Sequence, residues 1–128
     1  MRIEHIAIWS PDIERLKQFY IAYFGAISTD LYKNKKTGFT SYFLTFKEGA
    51  RLEIMNKEEI LPIKQLDKEQ MGYCHLAMSV GKESEVIRLT NSLREDGYRI
   101  IGEPRTTGDG YFESVVADPD GNRIELTC

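Results

Sequence analysis

Two short stretches, GARLEIM at Gly49–Met55 and GNRIELT at Gly121–Thr127, decide how this chain folds. Along a β-strand, neighbouring residues point to opposite faces, so alternation sorts each stretch into two sides. Leu52 and Ile54 oppose Arg51, Glu53 and Met55; Ile124 and Leu126 oppose Arg123, Glu125 and Thr127. Each stretch therefore reads as a half-buried strand that carries one carboxylate, Glu53 or Glu125, in its middle.

Working outward, each of these strands has a distant companion. EHIAIW (Glu4–Trp9) and CHLAMS (Cys74–Ser79) both place a histidine beside an apolar run. His5 and His75 stand 70 positions apart (5 to 75), and Glu53 and Glu125 stand 72 apart (53 to 125). Two matches at nearly equal offsets indicate a duplicated module. After the first histidine strand, read as Arg2–Trp9, Ser10 offers a helix cap, Pro11 fits the first helical position and Gly25 offers a left-handed stop. Ile13, Leu16, Tyr20 and Tyr23 recur at helical spacing between them, and Val86, Leu89 and Leu93 repeat the stripe before Gly97. Strands follow each helix: LYKNKKTGFTSYFLTFKEGARLEIM breaks near Asn34–Gly38 and Lys47–Gly49, and the second half offers YRIIGEPR, GYFESVVAD and NRIELT. DPDGN (Asp118–Asn122) is a tight-turn signal.

The expectation is an α+β fold of two tandem βαβββ modules, forming a cupped mixed sheet with its helices on the outer face. One domain spans residues 1–128, with module one at 1–56, a polar linker at 57–71 and module two at 72–128.

Parity then places the chemistry. His5 shares a face with Ala7 and Trp9, away from Ile6 and Ile8; His75 opposes Cys74, Leu76 and Met78. All four candidate ligands lie opposite the apolar pairs of their strands, so a curved sheet gathers His5, Glu53, His75 and Glu125 on its inner side. Imidazole nitrogen and carboxylate oxygen suit zinc, nickel, cobalt, iron or manganese, and two carboxylates neutralise a divalent ion. Four protein ligands leave positions open for a substrate on a six-coordinate ion. A competing reading exists for each residue alone: a strand histidine is commonly a packed residue, and Arg51 and Arg123 are ion-pair partners within reach of the glutamates. Four ligand types at duplicated positions favour the metal site.

Composition bounds the rest. A chain of 128 residues suits one compact domain or two half-sized modules with a shared core. Its 41% apolar and 29% charged content is ordinary for a soluble protein. A net charge of −3 gives no reason to expect nucleic acid or an anionic membrane as partner. No apolar run approaches the ~20 residues of a membrane span, and MRIEHIAIW lacks the apolar core of a signal peptide. Cys74, on the apolar side of its strand, and the terminal Cys128 make no disulfide framework, so a cytoplasmic location is expected.

The quoted segments IEHIAIW, RLEIM, YCHLAMSV and DPDGNRIEL resemble the vicinal oxygen chelate superfamily, which includes glyoxalase I, over nearly the whole chain. The resemblance implies paired modules around one divalent metal (nickel, zinc or cobalt) held by His5, Glu53, His75 and Glu125. This quartet is similar to that of glyoxalase I (lactoylglutathione lyase), whereas extradiol dioxygenases and fosfomycin-modifying transferases lack a carboxylate at the Glu53 position. Methylmalonyl-CoA epimerase has glutamine there. The implied activity is that of a lyase or isomerase acting on a small oxygenated substrate, such as a 2-oxoaldehyde–thiol hemithioacetal, through a metal-stabilised enediolate. Glu125 is the implied catalytic base and Glu53 its alternate. Trp9, Tyr42, Met55, Tyr73 and Tyr111 are the candidate pocket lining. A homodimer with a small-molecule substrate is the family's habit. The alternatives are a drug-sequestering module of the bleomycin-resistance type and a dioxygenase. One departure bears on substrate: bacterial glyoxalase I has an arginine four positions after the first histidine, where it contacts a glutathione carboxylate, and this chain has Trp9.

Overall fold

A computed structural model describes residues 1–61, 68–69 and 71–128. Of the expected linker at 57–71, residues 62–67 and 70 lie outside the described residues. The chain divides into two compact units, Met1–Pro62 and Ile63–Cys128.

In the first unit β1 (His5–Trp9) leads into α1 (Ile13–Phe24), then two short strands, β2 (Ile27–Ser28) and β3 (Tyr32–Lys33), and finally β4 (Thr40–Thr45) and β5 (Arg51–Asn56). The sheet runs β1-β5-β4-β2, with β3 also paired to β4. β1 lies parallel to β5, with Ile6 beside Leu52 and Ile8 beside Ile54; β4 is antiparallel to β5. The apolar stripe of α1 covers one face: Ile13, Leu16, Phe19 and Tyr20 bury themselves with Leu44, Leu52 and Ile54. Asp12, rather than Ser10, caps the helix, its carboxylate accepting from the Arg15 N–H at 2.9 Å. Ser10 is buried, and its hydroxyl accepts from the Asp12 N–H at 3.1 Å. Gly25 ends the helix at φ 62°, the left-handed conformation that glycine adopts without strain.

The second unit follows the expected order: β6 (Leu76–Ser79), α2 (Glu83–Glu95), β7 (Ile100–Thr106), β8 (Phe112–Ala117) and β9 (Arg123–Thr127). Its sheet runs β6-β9-β8-β7, again with the histidine-side strand parallel to the glutamate strand. Pro104 sits in β7, an edge strand, where its missing N–H is tolerated. Val86, Leu89 and Leu93 pack under α2 against Val116, Ile124 and Leu126. The turn DPDGN closes on Asp118, whose carboxylate accepts from the N–H groups of Asp120 (2.9 Å) and Asn122 (2.8 Å) and from the Asn122 amide (2.8 Å).

The fold is thus mixed α+β, two sheets each carrying one helix. Besides the helix cap, three local expectations change. The first strand begins at His5 instead of Arg2, and His75 immediately precedes β6 instead of lying within it. Cys74 is exposed, not core: the ladder begins at Leu76 beside Ile124, so strand alternation does not extend back to it. No described helix is long and apolar enough to cross a membrane.

Candidate metal centre

Each unit brings its own histidine and glutamate together. In the first, the parallel register sets His5 beside Arg51 and Ala7 beside Glu53, so His5 and Glu53 are diagonal neighbours on the face away from α1. Nε2 of His5 lies 3.9 Å from Oε2 of Glu53. In the second, Ala77 pairs with Glu125, and Nε2 of His75 lies 3.3 Å from Oε2 of Glu125. An alanine beside each glutamate keeps the approach clear. Both carboxylates are recessed, at 14% and 18% side-chain exposure, while the imidazoles are 41% and 37% exposed.

The arginines do not take these carboxylates. Arg51 donates from Nε to Glu4 at 2.7 Å, and Arg123 donates to Glu69 at 2.7 Å. Glu4 also accepts from Nδ1 of His5; that hydrogen bond first, and Arg51 with it, holds the Glu4 carboxyl below the usual carboxylate range. Phe43, opposite Glu53 on β4, presents its ring edge-on to His5 at 5.4 Å and carries the Arg51 guanidinium 4.2 Å from its centroid. Burial pushes the Glu125 carboxyl above its ordinary range; the charge of His75 opposes the rise, and the nearby carboxylate of Glu113 adds to it.

A carboxylate accepts and never donates, so the Glu4 contact requires the proton on Nδ1 of His5. In the neutral ring the Nε2 lone pair then faces the Glu53 carboxylate. Two lone-pair donors turned toward one another favour a cation between them. Donors bound to zinc at about 2.1 Å in tetrahedral or octahedral arrangement stand roughly 3.0–3.4 Å apart, so the second pair fits directly and the first within a small side-chain adjustment. Among the described residues no group of three or more His, Cys, Asp and Glu is placed to hold an ion; each unit by itself brings two candidate ligands together.

The pocket candidates divide. Trp9 pairs in register with Met55 on the His5 side, edge-on to Phe39 at 6.1 Å, with the Lys57 ammonium 4.9 Å over its ring. Tyr42 lies on the other face: it is buried beside α1, donates to Glu14 and carries Lys17 over its ring at 4.0 Å. Tyr73 and Tyr111 are exposed. Sequence reasoning missed Glu4, although its signal was present in the acid immediately before His5, and missed Phe43, whose face the apolar run FLTF does not reveal.

Known proteins carry the same frame. The uncharacterized protein YqjT of Bacillus subtilis (strain 168) is 24% identical over 98% of both chains. A glyoxalase family protein from Enterococcus faecalis is similar in structure with a TM-score of 0.79 and 25% identity, covering 98% of this chain and 96% of that one. The trypanothione-dependent glyoxalase I of Leishmania major gives a TM-score of 0.78 at 25% identity, over 99% of this chain and 86% of its own. The family described as the Glyoxalase/Bleomycin resistance protein/Dioxygenase superfamily matches residues 2–126, and the chain belongs to it.

Proposed function

We propose that this protein is a divalent-metal-dependent lyase or isomerase of the glyoxalase I type, acting on a small oxygenated substrate such as a 2-oxoaldehyde–thiol hemithioacetal. The observation that carries the reading is the repeated His–Glu pair, at 3.9 Å and 3.3 Å, with the neighbouring arginines turned to other acids. His5, Glu53, His75 and Glu125 hold one ion (nickel, zinc or cobalt), one pair from each unit; a homodimer in the cytoplasm is the expected state. When bound, the ion supplies Lewis acidity toward substrate oxygens on which negative charge develops.

The chain's own part is proton movement and orientation. Glu125 is the base that carries a proton between neighbouring carbons, the role that likeness to glyoxalase I gives its position. Glu53, the more recessed of the two, is the alternate base. Trp9 and Met55 line the substrate side of the first pair. Trp9 stands where an arginine would pair with a glutathione carboxylate, so that bidentate contact is absent and the thiol is left open, with the Lys57 ammonium 4.9 Å over the indole as the neighbouring cation.

Metal titration tests the reading. Stoichiometric binding of nickel, cobalt or zinc that Glu53→Gln or Glu125→Gln abolishes is expected, together with turnover of methylglyoxal with at least one small thiol. Small-molecule binding that persists undiminished in excess chelator, with no metal uptake, would replace the enzyme by a sequestering module.

A further inference from the structure

The two units differ most in what stands beside each histidine. In the first, Arg51, Glu4, His5 and Phe43 form a closed ring. Arg51 donates to Glu4 at 2.7 Å, Glu4 accepts from Nδ1 of His5, His5 meets Phe43 edge-on at 5.4 Å, and Phe43 carries Arg51 at 4.2 Å. In the second, the same positions hold Arg123, Cys74, His75 and Val115. There Arg123 turns to Glu69 at 2.7 Å and stands 3.9 Å from the Cys74 thiol, and no described hydrogen bond reaches Nδ1 of His75. A thiol is a weak acceptor and cannot fix a ring tautomer as a carboxylate does.

We propose that Glu4, clamped by Arg51, is a positioning residue that fixes His5 as the Nδ1–H tautomer with its Nε2 lone pair aimed at Glu53, and that the second unit lacks this device. The inference rests on the reading of His5 as a ligand and makes the two halves of the site unequal. His5–Glu53 is the fixed half, prepared before any ion arrives. His75–Glu125 is the half without that support, whose histidine has no described acceptor at Nδ1 and whose carboxylate is the one proposed to move a proton. A carboxylate behind a ligating imidazole commonly supports metal affinity by about 10–100-fold.

The chain has two histidines, so nitrogen NMR of the labelled metal-free protein shows two rings only. His5 is expected as the Nδ1–H tautomer, and His75, with no described acceptor at Nδ1 and the Glu125 carboxylate 3.3 Å from Nε2, with its proton on Nε2. Glu4→Ala should release His5 into a mixture while His75 stays as it was; Glu4→Gln, whose amide oxygen still accepts, should keep His5 fixed. Nickel titration should then give a roughly 10–100-fold weaker Kd for Glu4→Ala and a value near wild type for Glu4→Gln. A wild-type His5 carrying its proton on Nε2, or a His5 tautomer that Glu4→Ala leaves unchanged, overturns the inference. Loss of metal binding in the wild type itself would overturn the functional reading instead, and the tautomer measurement would still decide the role of Glu4.

Discussion

Single residues set two separate demands on this fold. Asp118 is 3% exposed, and burial pushes its carboxyl from an ordinary 3.8 up to about 6, against the three N–H groups that bond to it. The folded form therefore binds its proton more tightly than the unfolded chain, so this residue's contribution to stability is full below pH ~4 and declines as pH rises through about 6. The stability of wild type relative to Asp118→Asn should fall by up to about 3 kcal/mol between pH 4 and 7 in paired urea titrations. A difference that stays flat with pH would mean the hydrogen bonds cancel the effect of burial. Glu125 is shifted in the same direction, and its proposed role as base calls for a different test: Glu125→Gln keeps the size and removes the carboxylate. Turnover should drop by about 100-fold or more, the scale of a lost general base, read as kcat on the best thiol substrate.

Elements owe their places to patterns of unequal visibility. The helices, the glutamate strands and the Asp118 turn were legible because polar and apolar residues alternate sharply and glycine or proline punctuates the ends. β2 was not, since two residues carry no period, whereas β3 is the short strand expected ahead of the Asn34–Gly38 break. Tyr42, offered as pocket lining, is packed instead: alternation groups it with Leu44, and both are buried on the face that α1 covers. Ser10 and Asp12 are both good caps, and only the backbone geometry selects Asp12. Its loss in Asp12→Ala should cost about 1 kcal/mol by thermal or urea unfolding. In α2, Thr90 occupies a stripe position that looks like a break in the apolar pattern. Its hydroxyl is wholly buried, donates to the Val86 carbonyl at 2.6 Å and pairs with Ser114 at 2.7 Å, tying α2 to β8. Thr90→Val strands the Ser114 hydroxyl in the core and should cost about 1–3 kcal/mol. The double variant Thr90→Val/Ser114→Ala should recover part of it, since it removes both polar groups together. A double variant that is worse by the sum of the singles would show the two hydroxyls to be independent.

For the whole molecule, the question is why each half carries one imidazole and one carboxylate. The sequence made the four candidates visible by strand parity and duplicated spacing, and the structure brings one His–Glu pair together within each unit; how the pairs combine is carried by no local pattern, because it depends on how duplicated units assemble. Stoichiometry answers it. If each pair were a site of its own, the protein would take up two ions per chain, weakly and independently, and removing Glu53 would leave the second ion's affinity untouched. If the pairs complete one another, as proposed, the protein takes up one ion per chain, and either Glu53→Gln or Glu125→Gln abolishes tight binding of the whole. Binding only to the folded, assembled state also stabilises it: metal at 100 times its Kd should add about 2.7 kcal/mol to unfolding. Calorimetric titration of the metal-free protein with nickel, paired with thermal unfolding at the same concentrations, reads both quantities. One ion per chain with a rise in Tm that either glutamine variant removes is the expected result. Two independent ions, with the second surviving Glu53→Gln, would make the pairs two surface chelates and leave no single centre to work on a substrate.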